Sequence, residues 1–148
     1  MKSSSVNLNL MRMSLGENMT VTLFGESHGP AVGALIEGMP PNVEIDPDQL
    51  ISDMVARRPG SGLASKRKET DDVEIMSGVN SGRSTGMPIL LLIRNRDVRS
   101  KDYSFLPYQP RPGHVDHPIN IKTEGAADLR GGGSFSARLT AGLVAAAS

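Results

Sequence analysis

Sixteen basic and sixteen acidic side chains cancel in this chain of 148 residues, so any attraction to nucleic acid or to an anionic membrane surface has to be local. The lack of cysteine excludes disulfides, thiolate catalysis and thiolate metal sites together, and it fits a cytoplasmic protein. Three Phe, two Tyr and no Trp leave the core to Leu, Ile, Val, Met and Ala and provide almost no stacking platform for single-stranded nucleic acid.

The Ser- and Met-rich residues 1–17 lack the apolar h-region of a signal peptide and read as a flexible tail ahead of one domain over 18–148. No run approaches about 18 apolar residues, so no membrane-spanning helix is expected. Residues 19–24 alternate apolar and polar at period two and 31–37 form a second apolar run, which predicts a strand pair. Between them lies Gly25-Glu26-Ser27-His28-Gly29-Pro30, a turn that brings backbone close to a ligand and carries an imidazole able to give or take a proton near neutral pH. The plainer reading of His28 is an exposed loop residue.

Asp46 followed by Pro47 predicts a capped helix start, and Leu50, Ile51, Met54 and Val55 recur at helical spacing, so they are expected to bury one face while Asp48 and Asp53 stay in water. The helix ends near Arg57-Arg58-Pro59. Arg57, Arg58, Lys66, Arg67 and Lys68 then punctuate a Gly/Pro/Ser-rich segment with no acid. It reads either as an anion lid or as a solvated charge run balanced by Glu69, Asp71, Asp72 and Glu74. Residues 73–76 and 89–93 predict two more strands joined across a Gly/Ser-rich turn, the second buried on both faces. The fold class that follows is α+β, an antiparallel sheet with helices packed on one side. Gly82-Arg83-Ser84-Thr85 has neither the spacing nor the lysine of a P-loop, and no Gly-x-Gly-x-x-Gly follows a strand.

A second basic cluster, Arg94, Arg96, Arg99 and Lys101, is interrupted by Asp97 and Asp102 and leads to Arg111-Pro112-Gly113-His114-Val115-Asp116-His117-Pro118. Prolines on both sides stiffen the loop around His114. His114, Asp116 and His117 can also be read as zinc or iron ligands, which makes a His/Asp metal-dependent enzyme the chemical rival. Near the end, Arg130-Gly131-Gly132-Gly133-Ser134-Phe135-Ser136-Ala137-Arg138 precedes an apolar helix over 139–148 and reads as an anion cradle of backbone N–H groups, or as a linker. The helix lacks a glycine cap and closing cations.

Five segments in this order and spacing resemble the chorismate synthase family: Gly25-Glu26-Ser27-His28-Gly29; Arg57-Arg58-Pro59-Gly60; Arg94-Asn95 with Arg99-Ser100-Lys101-Asp102-Tyr103-Ser104; Arg111-Pro112-Gly113-His114; and Arg130-Gly131-Gly132-Gly133 with Ser136-Ala137-Arg138. The resemblance covers about residues 16–148 and the amino-terminal part of the family's chain. It implies about half of a β-α-β sandwich, a helical layer between antiparallel sheets, assembled as a homotetramer. It further implies a shikimate-pathway lyase that removes phosphate and a proton from 5-enolpyruvylshikimate 3-phosphate to give chorismate. Reduced FMN would serve without net oxidation, with NADPH if flavin reduction is intrinsic.

On that resemblance His28 would protonate the departing phosphate and His114 would serve the reduced flavin, while Arg57, Arg111, Ser136, Ala137 and Arg138 would hold the substrate. Ser134, Phe135, Ser136 and Arg57 would contact FMN. Many arginines without net basic charge suit a phosphate-and-dicarboxylate substrate beside a flavin phosphate. A second expectation, from a different class, is a shortened non-catalytic piece that binds anions or a full-length partner.

Overall fold

In the computed structural model, which describes residues 11–58, 69–96 and 99–148, the period-two segments become strands β2 (Thr20–Gly25) and β3 (Ala31–Glu37), joined by the His28 turn. Helix α1 (Pro47–Ala56) follows, then β4 (Val73–Ile75), a small hairpin of β5 (Val79–Asn80) and β6 (Arg83–Ser84), and β7 (Ile89–Arg94). Helices α2 (Asp116–Lys122) and α3 (Thr140–Ala147) complete the elements. An edge strand β1 (Ser14–Leu15) pairs antiparallel with β2, giving a five-stranded sheet in the order β1-β2-β3-β7-β4, antiparallel throughout. The described end of the expected tail is thus docked: Leu23 also donates its N–H to Met13 O at 2.8 Å. Residues 1–10 and the expected anion lid over 59–68, with Lys66, Arg67 and Lys68, lie outside the described residues, as does Asp97.

The register explains the core. Val32, Ala34 and Ile36 of β3 stand opposite Ile93, Leu91 and Ile89 of β7, and all six are buried. Each such Val, Leu or Ile contributes roughly 1.5–3 kcal/mol relative to exposure. Leu139, Ala141 and Ala145 complete this cluster from the α3 side. The helix comes in close because residue 142 is glycine: a Cβ there would sit 2.4 Å from Gly33 O.

Two expectations change. Strand β7 is not buried on both faces, since Leu90 and Leu92 are only partly covered, α3 packing against its buried residues. On α1, Asp46 caps as expected, accepting from the N–H groups of Asp48 and Gln49 at 2.9 and 3.0 Å. Yet only Met54 is buried and Leu50 partly so, while Ile51 and Val55 remain 62% and 50% exposed. Helix α1 leans on α3 by one edge, so one side of its apolar stripe is covered. Among the described residues no helix is long and apolar enough to cross a membrane.

Candidate active site

The sheet ends where the chemistry gathers. The β2–β3 turn is held by its backbone: Asn95 Nδ2, just after β7, donates to Glu26 O and Gly29 O at 3.0 and 2.8 Å, and Ser27 N–H donates to Gly133 O at 3.1 Å. His28 therefore sits at a fixed point, half-buried. Its Nδ1 lies 3.4 Å from Ser100 Oγ, and its ring meets that of Tyr103 edge-on, at 4.8 Å and 81°. Ser100 and Tyr103 are the two ends of one 3-10 turn, Ser100–Tyr103, so a single short element supplies both contacts.

The glycine run is shaped against this histidine. Gly131, Gly132 and Gly133 all take positive φ, and the segment is irregular rather than helical. At Gly131 a Cβ would lie 2.7 Å from His28 Cδ2 and 2.9 Å from Nε2, so only glycine leaves room for the imidazole. Part of the expected N–H cradle is used internally, Gly132 N–H to Leu129 O and Ser136 N–H to Gly133 O.

Two cations reach the site from neighbouring segments. Arg130 Nη1 donates to Ser100 Oγ at 3.0 Å, and its Nε and Nη2 grip Asp128 at 2.8 and 2.7 Å. Arg111 lies over the Tyr103 ring, 5.2 Å from the centroid, a cation–π contact. It also forks onto Asp116 at 2.8 and 2.7 Å. Asp116 is buried, and its hydrogen bonds from the Arg111 side chain hold its carboxyl below the usual carboxylate range. Asp128 is likewise lowered, first by its hydrogen bonds from Arg130.

A depressed folded-state value means that the ionised Asp116 stabilises the protein above the unfolded carboxylate range, near pH 4, and that this contribution is lost as pH falls through the folded value. Asp116→Asn is expected to cost about 2 kcal/mol at pH 7, the scale of a charge-assisted hydrogen bond, and progressively less in acid. Urea unfolding of both proteins between pH 7 and about pH 3 measures the difference, and a gap that stays constant with pH would contradict the linkage.

Arg57 and Arg138 meet elsewhere, on a residue that the sequence does not single out. Asp71, buried and at φ 54°, accepts from Arg57 Nη1 on one oxygen and from Arg138 Nη1 on the other. Arg138, expected on a substrate anion, is itself buried: its Nε donates to Asn95 Oδ1 at 2.9 Å and its Nη2 to Arg94 O at 3.4 Å. Asn95 thereby ties this cluster to the His28 turn. Arg57 is the more open of the two, reaching Thr140 Oγ1 at 3.2 Å. Ser136 Oγ accepts from Arg138 N–H at 3.3 Å, so it caps the following turn, and Ala137 is exposed.

Ser134 and Phe135 line a cleft of about 230 Å³ with Glu26, Val115, Ile119 and Leu129. His114 is exposed, and its backbone N–H goes to Arg111 O at 3.2 Å. The rival metal set does not assemble: both oxygens of Asp116 are engaged by Arg111, His114 and His117 are exposed, and no cluster of three His, Cys, Asp or Glu able to hold a metal ion occurs among the described residues. The acidic stretch is spent on the second basic cluster as well, Glu74 on Arg94 at 2.6 Å and Asp72 on Arg96 at 3.7 Å.

A family model described as chorismate synthase matches residues 19–148. The chain is 54% identical over 135 residues to the chorismate synthase of Aeropyrum pernix, covering 91% of this chain and 36% of that protein. It is 49% identical to that of Thermococcus kodakarensis over 131 residues, 88% of this chain and 37% of that one. A crystal structure of chorismate synthase superposes with a TM-score of 0.61 at 30% identity, over 87% of this chain and 31% of that one. The chain spans little more than a third of the length of these curated relatives, less than the half-subunit expected from the motifs. With the family model running from the first residue before β2 to the end of α3, and with about half of the aligned residues identical, the chain belongs to the chorismate synthase family.

Proposed function

We propose that this chain carries part of a chorismate synthase active site, centred on His28, for the 1,4-elimination of phosphate from 5-enolpyruvylshikimate 3-phosphate. The observation that carries the reading is the convergence on one half-buried imidazole of Ser100 and Tyr103, with Arg130 donating to Ser100 and Arg111 over the Tyr103 ring. When the C–O bond breaks, negative charge develops on the departing phosphate oxygen. A protonated His28 gives its proton there, and fixed guanidinium groups stabilise that charge. Arg57 supplies a further positive charge: with Arg138 and Asp71 it forms a trio of two cations and one anion, net +1. Arg138, Ser136 and Ala137 set the position of that trio rather than its open face.

Reduced FMN would supply electron density for loss of the phosphate and be regenerated, because the reaction is not a net oxidation. The cleft fits part of a flavin. Phe135, 42% exposed, with Val115 and Ile119 offers an apolar wall for the ring system, and Ser134 offers a hydroxyl, whereas among the described residues the cleft is lined by Glu26, Asp116 and Asp128 and by no cation for the FMN phosphate. Ser134→Arg is accordingly expected to tighten FMN about tenfold, the lower end of a charge-assisted hydrogen bond. Titration of flavin fluorescence measures this, and equal affinities would place the FMN phosphate away from Ser134. The role of His114 toward the flavin, intrinsic NADPH use and a homotetramer belong to the same proposal.

The test is anaerobic formation of chorismate and phosphate by the purified chain with pre-reduced FMN. Product formation supports the lyase reading. Phosphate or substrate binding without product supports the non-catalytic, anion-binding one.

A further inference from the structure

We infer that Ser100 is a positioning residue for His28, a hydroxyl that fixes which ring nitrogen of the neutral imidazole carries the proton. The inference rests on the reading of His28 as the acid of the site for its importance, but not for its geometry.

Ser100 Oγ stands between a cation and the ring, 3.0 Å from Arg130 Nη1 and 3.4 Å from His28 Nδ1. A guanidinium only donates, so toward Arg130 the oxygen is an acceptor. The oxygen keeps a second lone pair, so the distances alone leave the direction toward Nδ1 open; donation to Nδ1 is the arrangement that uses the hydroxyl's single hydrogen within this cluster, and it makes Nδ1 the acceptor, unprotonated. The remaining ring proton lies on Nε2. Donation from a cation polarises the hydroxyl and strengthens its own donation, so Arg130, Ser100 and His28 form a chain with one direction. That direction is held at both ends: Asp128 grips Arg130 through two of its nitrogens, and the edge-on Tyr103 ring opposes rotation of the imidazole.

Gly131 completes the arrangement on the opposite edge. A side chain there would fall 2.9 Å from Nε2, and glycine leaves that nitrogen space. The ring is thus held with Nδ1 toward Ser100 and Nε2 toward Gly131, and on the reading of His28 as an acid Nε2 is the nitrogen that exchanges a proton with a ligand. Because Tyr103 closes the same turn as Ser100, one four-residue element sets both the orientation and the tautomer. In the sequence this turn is visible only as part of a basic motif, since a serine between two cations carries no signal of its own.

The test needs no turnover, so it can fail while the assignment of His28 as an acid stands, and the reverse. In the chain labelled with ring-15N histidine, long-range 1H–15N spectra at about pH 9, where an imidazole of ordinary pKa near 6.5 is neutral, report the tautomer of each ring. His28→Gln identifies the His28 signals. The expected result is an unprotonated Nδ1 and a protonated Nε2 in the wild type. In Ser100→Ala the two nitrogen shifts are expected to move toward each other as the preference is lost, and Ser100→Thr is expected to restore the separation. A protonated Nδ1 in the wild type overturns the inference without recourse to any variant. So do unchanged ring shifts in a Ser100→Ala protein whose amide spectrum shows it folded.

Discussion

Replacing Asp71 by alanine is expected to cost about 3–5 kcal/mol of folding stability, the range for breaking a buried ion pair from one side. The Asp71 side chain is 2% exposed and that of Arg138 5%, so no water replaces the lost carboxylate. Arg138 keeps Asn95 Oδ1 and Arg94 O as acceptors, but its charge is left without a counter-ion. Arg57, more open, can rehydrate, so most of the cost falls on Arg138. Against a typical total of about 5–15 kcal/mol for a domain, the loss approaches unfolding. Urea unfolding followed by circular dichroism measures it. Asp71→Asn keeps the shape but only one accepting oxygen, because its Nδ2 faces a guanidinium that only donates, and its loss should be smaller than that of alanine by the one contact retained. A cost under about 1 kcal/mol for the alanine variant would show that the site is hydrated and that the pairing is not structural.

Asp71 also shows where sequence reading stops. In the chain it is one acid among Glu69, Asp71, Asp72 and Glu74, which read together as a counterweight to nearby cations. Glu74 and Asp72 turn instead to Arg94 and Arg96 of the second basic cluster. Asp71 does meet Arg57, but as a buried contact shared with Arg138 rather than as part of a solvated run. Its partners stand 14 and 67 residues away, and its positive φ, which turns it inward, has no signature in an aspartate. Local features were legible because their physics is local. Alternation gave β2, apolar runs gave β3 and β7, and Asp46-Pro47 gave the start of α1. The insertion of β7 between β3 and β4 was not legible, because strand order depends on contacts far apart in sequence. For the site, the motifs carried His28, Arg111 and the glycine run to one place, while the Ser100–Arg130 and Tyr103–Arg111 contacts emerged only when turns distant in sequence were set side by side.

In a full-length chorismate synthase context, alanine at His28 is expected to lower turnover about 10²-fold or more, the usual range for a general acid, with folding nearly unchanged. The two effects separate because the hydrogen bonds described for the turn's backbone do not involve the imidazole. Asn95 Nδ2 grips Glu26 O and Gly29 O, Gly29 N–H returns to Glu26 O at 3.0 Å, and Ser27 N–H goes to Gly133 O. What the variant loses is the proton donor beside Arg130. Substrate binding should change far less than turnover, since the guanidinium groups that attract the phosphate remain in place. Anaerobic single-turnover measurement with pre-reduced FMN, alongside calorimetric binding of the substrate, resolves kcat from affinity. His114→Ala, at an exposed position, is the comparison: an equal loss there without a change in folding would place the second histidine in the same reaction. Wild-type-like turnover in His28→Ala would instead remove the imidazole from the chemistry and leave Ser100 and Arg130 as an anion-binding pair.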